Sequence, residues 1–214
     1  MTETSFQRAR TPEQIAARRA AILDAAEELL TELPTEQVSL RELSRRVGLG
    51  TANVARYFPT REAVFLEVLD RARGLWLDEL EERVTGDAHE LARTFAESLQ
   101  ERPLVCELLS VVARVLERNV DRETVLDFKL RSRAHNERLG RLFARAIPGL
   151  TEAQGLELSS HALLLVMAAW PVANPNDAVR EAMEDPRLAP TRVNFVDRIT
   201  RLLELLIGGL RAQD

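Results

Sequence analysis

Apolar residues recur every three or four positions along most of the chain, which is the spacing of one face of an α-helix. Strand-like alternation is nearly absent, and long stretches are rich in leucine, alanine, arginine and glutamate. The pattern therefore predicts an all-α protein. Its breaks at proline, glycine and asparagine predict helices at residues 12–33, 40–47, 51–58, 60–82, 88–101, 104–118, 122–146, 152–170, 177–184 and 191–211.

The first short helices have clear start and stop signals. Thr11-Pro12-Glu13-Gln14 is typical of a capping box with proline at the first helical position. Ser39 and Glu42 predict a second capping box at the start of the helix 40–47, and Gly48 supplies the left-handed residue that ends this helix. Two short helices joined by a tight glycine turn describe a helix-turn-helix, whose second helix enters the major groove of DNA.

The helices at 152–170 and 191–211 are apolar on more than one face. In the first of them Leu158, Ala162, Leu165 and Ala169 form one stripe, and Leu163, Val166 and Trp170 form another. Because a two-faced helix needs two partners, we expect one face in the core and the other against a second copy of the chain. The alternative is a central helix of a large monomeric bundle.

Composition favours a folded, soluble, cytoplasmic protein. The chain has 214 residues, of which 45% are hydrophobic and 29% are charged. Its single cysteine, Cys106, permits no internal disulfide, and we expect it to be a small buried residue rather than a nucleophile. The N-terminus is too polar for a signal peptide, and the longest apolar run, Ala162 to Trp170, is too short to cross a bilayer.

Positive charge is concentrated in one window. The net charge is -5, yet residues 1–73 hold eleven arginines and eleven acids. Residues 39–61 hold five arginines against one acid, Glu42. This distribution is typical of a module that meets a polyanion locally, although a solvated helix face with a chance run of arginine is an alternative. A second small basic excess lies in the N-terminal arm, at Arg8 and Arg10.

The segment VSLRELSRRVGLGTANVARYFPTREAVFLEVL resembles the DNA-binding motif of the tetracycline-repressor (TetR) family of transcriptional regulators. The aromatic pair Tyr57-Phe58, followed by a capped helix, is its most specific part, and the match covers about residues 12–70. The other matching positions are Leu40, Leu43, Val47, Gly48, Leu49, Val54, Glu62, Ala63 and Phe65.

The resemblance implies two domains: a helix-turn-helix domain with an N-terminal arm at residues 1–59, and a helical effector-binding and dimerisation domain at residues 60–214. It implies a ligand-responsive regulator, most simply a repressor, that binds a palindromic double-stranded DNA operator as a homodimer. A small-molecule effector would tilt the helix at 60–82 and release the DNA.

Thr51, Asn53 and Arg56 are the candidates for reading bases, because they project away from Val54 on the recognition helix, and because asparagine suits adenine and arginine suits guanine. The alternative for each is a solvated surface residue. The candidates for phosphate contact are Ser39, Arg41, Tyr57, Thr60 and Arg61, together with Arg8 and Arg10 in the arm. The helix departs from the usual family pattern at Thr51, Ala52, Ala55 and Arg56, where lysine, glycine, tyrosine and histidine are frequent, which leaves the operator sequence open.

The family's effector pocket lies beneath the fourth helix, and the resemblance implies a small apolar or amphipathic ligand. Ser132 and His135 interrupt the apolar stripe of helix 122–146, which is typical of a pocket lining. The alternative is that these residues are hydrogen-bonded core or interface side chains. The candidate lining residues are Trp76, Phe95, Phe128, Ser132, His135, Phe143 and His161.

The sequence gives little support to an enzyme. It has no HExxH motif, no clustered Cys and His, and no glycine-rich phosphate loop. Glu157 and His161 are four residues apart but have no second set, as a di-iron bundle would need. We expect no cofactor and no metal. A helical-bundle enzyme and a helical interaction protein that has lost DNA binding are the alternatives, and neither explains why the basic residues gather on the helix-turn-helix.

Overall fold

The computed structural model describes residues 11–84 and 87–212. Within these ranges the regular structure is entirely helical, as the apolar spacing predicts. The α-helices are α1 Pro12–Glu32, α2 Leu40–Val47, α3 Thr51–Ala55, α4 Arg61–Arg83, α5 Ala88–Gln100, α6 Pro103–Val111, α7 Arg122–Ala146, α8 Glu152–Ala173, α9 Asp177–Ala182 and α10 Phe195–Arg211. The chain divides within α4 into two compact units, Met1–Val68 and Leu69–Asp214. The candidate contacts Arg8 and Arg10 lie outside the described residues.

Local capping explains where the first two helices begin. The Thr11 hydroxyl accepts a hydrogen bond from the Gln14 amide, and the Gln14 side chain accepts one from the Thr11 amide, so the predicted capping box is confirmed. Ser39 caps α2 by accepting from the Glu42 amide at 3.1 Å. The predicted second capping box is only half formed, because the Glu42 carboxylate pairs with Arg45 instead.

The helix-turn-helix is built on a small apolar core. Helix α2 packs against both α1 and α3, and Leu43, Val54 and Phe58 are buried. Gly48 ends α2 at a φ of 71°, a conformation that favours glycine. Helix α3 ends at Ala55 rather than at the predicted residue 58, because the chain tightens into a turn in which the Tyr57 and Phe58 amides both donate to the Val54 carbonyl.

In the second unit, α8 is the central helix. It packs against α6, α7 and α10, and α10 also packs against α5. Helices α7 and α8 meet almost backbone to backbone: a Cβ on Gly140 would lie 2.8 Å from the Leu156 Cα, and a Cβ on Gly155 would overlap the Gly140 carbonyl oxygen. This contact therefore requires residues without side chains on both helices.

Helix α8 is longer than its sequence pattern predicts. It continues through Pro171 to Ala173, although proline cannot donate a backbone hydrogen bond there. By length and composition its 22 residues would suffice to cross a membrane. Because three other helices pack against it, α8 is a core helix of this unit.

The remaining differences from the predicted bounds have local causes. The helix predicted at 104–118 ends as α6 at Val111 and continues as a π-helical turn, Val112–Leu116. The helix predicted at 191–211 begins at Phe195, because Pro186–Thr191 forms a 3-10 helix and Asn194 caps α10. Helix α9 stops two residues before the predicted end at 184.

Candidate nucleic-acid interface and effector site

The open face of α3 carries the side chains predicted to read bases. Thr51, Asn53 and Arg56 are exposed, whereas Val54 and Phe58 are buried in the core of the first unit. Because Val54 anchors one side of this short helix, the opposite side faces solvent. The geometry leaves these three side chains accessible to a ligand, and their contact with bases stays a prediction.

Two of the five arginines in the basic window have free guanidinium groups. Arg45 pairs with Glu42, and Arg46 pairs with Glu32 at 2.6 Å and with a second carboxylate of α1. By contrast, Arg41 and Arg56 are exposed and form no ion pair or hydrogen bond within residues 11–84 and 87–212. These two are the cations of the window that are available to a polyanion.

Arg61 holds the start of α4 to the connection between α1 and α2. Its Nη1 donates to the carbonyl oxygens of Thr35, Glu36 and Val38 at 3.3, 3.0 and 2.9 Å. Its Nε donates to Glu62, which is buried, at 2.9 Å. This structural role was not predicted from the sequence, and a phosphate contact by Arg61 stays a prediction.

Arg19 fixes the turn that follows the recognition helix. Its Nη1 donates to the Tyr57 carbonyl at 2.8 Å, its Nη2 pairs with Glu67, and its guanidinium lies 4.2 Å from the centre of the Phe58 ring. Sequence reasoning missed this residue. The available signal was its position four residues after Ile15, where an arginine replaces an apolar residue on the inward stripe of α1.

The hydroxyl candidates for phosphate contact are helix caps in the structure. Ser39 caps α2, and the Thr60 hydroxyl accepts from the Ala63 amide at 3.1 Å at the start of α4. Tyr57 is half-buried. Phosphate contact by these residues stays a prediction.

Three of the predicted effector residues form an aromatic cluster in the core of the second unit. Trp76, Phe95 and Phe143 are fully buried and meet edge to face, with ring centroids 5.7 and 5.6 Å apart. The Trp76 indole donates to the Ser98 hydroxyl at 2.9 Å. Phe128 is also buried, on α7. The structure therefore places these rings in the packed core, and their contact with a ligand stays a prediction.

Ser132 and His135 belong to a group of polar side chains between α4 and α7. The Ser132 hydroxyl accepts from Arg73 at 2.7 Å, and the His135 Nε2 lies 3.0 Å from an Asp70 oxygen. We call this group the α4–α7 polar cluster; its members are Asp70, Arg73, Arg131, Ser132, His135 and Asn136. His161, another candidate lining residue, is exposed on α8.

Sequence reasoning missed the charged members of this cluster. Arg73 is only 2% exposed, although arginine is rarely buried unless it is paired. A signal was present, because Arg73 falls between Leu69 and Trp76 on the apolar stripe of α4. Asp70 is partly buried, and its pKa is affected most by that burial, which raises it. The hydrogen bond from His135 and the charge of Arg131 oppose burial and leave the pKa below its ordinary value.

Two surface clefts lie away from the predicted effector residues. One, of about 410 Å³, is formed by the end of α8, α9 and the segment before α10. The other, of about 370 Å³, lies beside Asp87, Pro148 and Arg211. Neither cleft is lined by any residue of the α4–α7 polar cluster.

Cys106 is buried, and burial raises the pKa of its thiol, with the neighbouring Glu107 carboxylate adding to the effect. The thiol is therefore a packing group rather than a nucleophile, as its sequence context predicts. Among the residues that the structure describes, no three His, Cys, Asp or Glu side chains are grouped as a metal site would require.

An exposed recognition helix, with exposed arginines at Arg41 on α2 and at Arg56 directly after α3, defines a helix-turn-helix DNA-binding regulator. Comparison with known families agrees. Residues 22–68 match the model for bacterial regulatory proteins of the tetR family, and residues 70–214 match the model for the tetracyclin repressor-like C-terminal domain. The chain therefore belongs to the TetR family of transcriptional regulators.

Among individual proteins, the chain is similar to the HTH-type transcriptional regulator EthR of Mycobacterium tuberculosis H37Rv, with 41% identity over 54 residues. That match spans 25% of each chain, so this protein covers about a quarter of the length of the curated relatives it matches. The family and this relative are transcriptional regulators, not enzymes.

Two solved structures share the fold over most of their length. A possible TetR family transcriptional regulator from Streptomyces coelicolor A3(2) has a TM-score of 0.61 at 19% identity, covering 92% of this chain and 100% of the other. The transcriptional regulator FadR from Bacillus subtilis, in complex with stearoyl-CoA, has a TM-score of 0.56 at 17% identity, covering 89% and 98%. At these identities the likeness concerns the fold alone.

Proposed function

We propose that this protein is a ligand-responsive repressor that binds a palindromic DNA operator as a homodimer in the cytoplasm and is released by a small apolar or amphipathic effector. Residues 1–59 would contact the operator, and residues 60–214 would bind the effector and form the dimer. The observation that carries the proposal is the side chain of Arg56 at the open face of α3, which is exposed and has no partner among the residues that the structure describes.

Operator reading would use α3 in the major groove. Arg56 suits the O6 and N7 acceptors of guanine, and Asn53 suits adenine. Arg41 would contact phosphate, because its guanidinium is exposed and free of partners among the described residues. Two such helices, one from each protomer and about 34 to 36 Å apart, would read successive major grooves.

Dimerisation would use the outer faces of α8 and α10. Large apolar side chains are exposed on both helices, among them Leu164 and Val172 on α8, about 60% exposed, and Leu205 on α10. Exposed apolar rows on long neighbouring helices are typical of a two-fold interface of four helices. The paired change Leu164→Glu and Leu205→Glu should give a monomer in sedimentation, whereas a chain that is already monomeric at micromolar concentration would contradict this part of the proposal.

Effector control would act through α4, which begins in the DNA-binding unit and continues into the second unit. A ligand that prefers one position of α4 would change the spacing of the two recognition helices, since a ligand shifts an equilibrium only by its differential affinity. The B. subtilis FadR structure, solved with stearoyl-CoA, supports this role for the fold by analogy.

The proposal is tested by binding the full chain to duplexes selected from a random pool. Arg56→Ala should weaken the best duplex by about 1 to 3 kcal/mol and leave random duplex almost unchanged. The matched control is Arg133→Gln, because Arg133 is exposed and pairs only with Glu137 on α7. Equal losses on both duplexes would remove Arg56 from base reading, and no salt-dependent retention of any duplex would favour an interaction protein.

A further inference from the structure

The second unit contains a buried cation whose hydrogen-bond partners are neutral. The Arg73 guanidinium donates from Nη1 to the Ser132 hydroxyl and from Nη2 to the Asn136 side-chain oxygen, each at 2.7 Å. Its Nε is buried and has no hydrogen-bond partner among the described residues. Burial lowers the pKa of Arg73 to about 10, against the opposing charge of Asp70, so the group remains charged near neutral pH.

The nearest carboxylate is engaged elsewhere. One oxygen of Asp70 is 3.0 Å from the His135 Nε2, and the other is 3.5 Å from the Arg131 Nε. Arg131 also pairs with Asp127 at 3.1 Å, but that carboxylate is mostly exposed. Within residues 69–84 and 87–212, Arg73 forms no ion pair closer than 4 Å. The cluster therefore holds two guanidinium groups and one partly buried carboxylate, and Arg73 is the buried guanidinium of the two.

This arrangement is unfavourable unless an anion completes it. A buried ionised group without an ion pair is unfavourable, because the charge has lost its hydration. A guanidinium presents five N–H donors in a flat fork, of which two are used here. A carboxylate would accept from the free Nε and from one terminal nitrogen in the bidentate geometry that arginine favours. An apolar replacement would suit a purely structural position better.

The side chains around Arg73 indicate the chemical nature of the ligand that would supply this anion. Trp76 lies one turn beyond Arg73 on α4, and Phe128 lies one turn before Ser132 on α7, and both are buried apolar side chains. A single guanidinium in such surroundings matches a singly charged carboxylate better than a doubly charged phosphate, since each further buried charge needs its own partner.

We infer that Arg73 binds the carboxylate of an amphipathic effector, with Ser132 and Asn136 positioning the guanidinium and neighbouring apolar side chains receiving the ligand's hydrocarbon part. The inference rests on the proposed function, because it takes residues 60–214 to contain the effector site. Because Arg73 lies on α4 and its two neutral partners lie on α7, a bound carboxylate would alter the contact between these two helices.

The test uses the full chain and three matched pairs of probes: benzoate and benzyl alcohol, octanoate and octan-1-ol, and dodecanoate and dodecan-1-ol. Dissociation constants are measured by calorimetry. In at least one pair the carboxylate should bind tenfold or more tightly than the alcohol. Arg73→Gln should abolish that preference, Arg73→Lys should restore part of it, and the exposed control Arg133→Gln should keep it.

Wild-type protein that shows no preference for the carboxylate in any pair would overturn the inference, whether or not the variants fold. A preference that survives in folded Arg73→Gln would also overturn it, as would tighter binding of dodecyl phosphate than of dodecanoate. Operator retention is measured in parallel. Carboxylate binding at Arg73 with no effect on DNA retention would leave the inference standing and contradict the ligand-responsive part of the proposed function.

Discussion

Within residues 11–68 the free arginines Arg41 and Arg56 lie at the surface, whereas in the second unit Arg73 is buried between two helices. Arg41 and Arg56 keep their hydration and need no fixed partner, which suits a polyanion that meets the protein along an open face. Arg73 has lost its hydration, so it is suited to one anion in a defined position. The exposed charges of Arg41 and Arg56 therefore suit an extended polyanion, and the buried charge of Arg73 suits a single small anion.

The two units also differ in what holds their helices together. Helices α2 and α3 have eight and five residues, so they bury little surface, and Arg19 and Arg61 reinforce them by bonding to backbone carbonyls. Helices α7 and α8 have 25 and 22 residues and meet backbone to backbone at Gly140 and Gly155, one turn from a hydrogen bond that the Ser159 hydroxyl donates to the Asn136 carbonyl. Short helices depend on arginine side chains here, and long helices depend on close packing.

The largest expected effect concerns the glycine contact. Gly155→Ala should destabilise the protein by about 2 to 3 kcal/mol, because the added Cβ overlaps the backbone of α7 and forces the helices apart. Chemical denaturation measures the change. The matched control is Gly74→Ala, also inside a helix, whose Cβ would make an ordinary 3.6 Å contact with the His135 ring. The control should stabilise by up to about 1 kcal/mol, and equal destabilisation of both variants would contradict close packing as the cause.

A smaller effect on stability is expected when the hydrogen bonds of Arg61 are removed. Arg61→Ala should destabilise the DNA-binding unit by about 1 to 2 kcal/mol, because three carbonyl oxygens lose their donor. A reduced salt slope of DNA binding in a folded, destabilised variant would add the phosphate contact predicted from the sequence to this structural role. An unchanged free energy of unfolding together with a reduced salt slope would instead assign Arg61 to a phosphate. Arg61 would then act like the exposed Arg41 and would not be a structural residue.

The smallest effect on stability is expected at a free arginine. Arg41→Ala should leave the unfolding free energy unchanged, since its guanidinium has no partner among the described residues. It should weaken cognate and random duplex alike and reduce the slope of log affinity against log salt by about 1. Retention of the full slope would show that the exposed guanidinium does not meet phosphate.

Much of the fold was predictable from the sequence because helix signals are local. The capping box at Thr11, the left-handed Gly48 and the apolar stripes place most helix starts within a few residues. The π-helical turn after α6 and the early end of α3 were not predictable, because the sequence shows no stop signal at Val111 or at Ala55. Pro171 was read as the end of a helix, whereas α8 continues through it to Ala173.

Of the candidate sites too, one part was predictable from the sequence and another was not. The open face of α3 could be read from the position of Val54, since one buried residue fixes the orientation of a short helix. The long-range contacts of Arg19 and Arg73 could not, because their partners lie 38 and 59 or more residues away in sequence. In both cases the clue was an arginine on an apolar stripe, which marks an unusual position without naming its partner.

The most direct test of the central claim, that the open face of α3 reads DNA, is selection from a random duplex pool by the wild-type chain and by Arg56→Ala. The wild-type protein should enrich an inverted repeat with half-site centres about 10 base pairs apart. Arg56→Ala should enrich the same repeat with one position in each half-site made degenerate. Enrichment of no repeat by the wild-type chain, or of identical repeats by both proteins, would contradict the account.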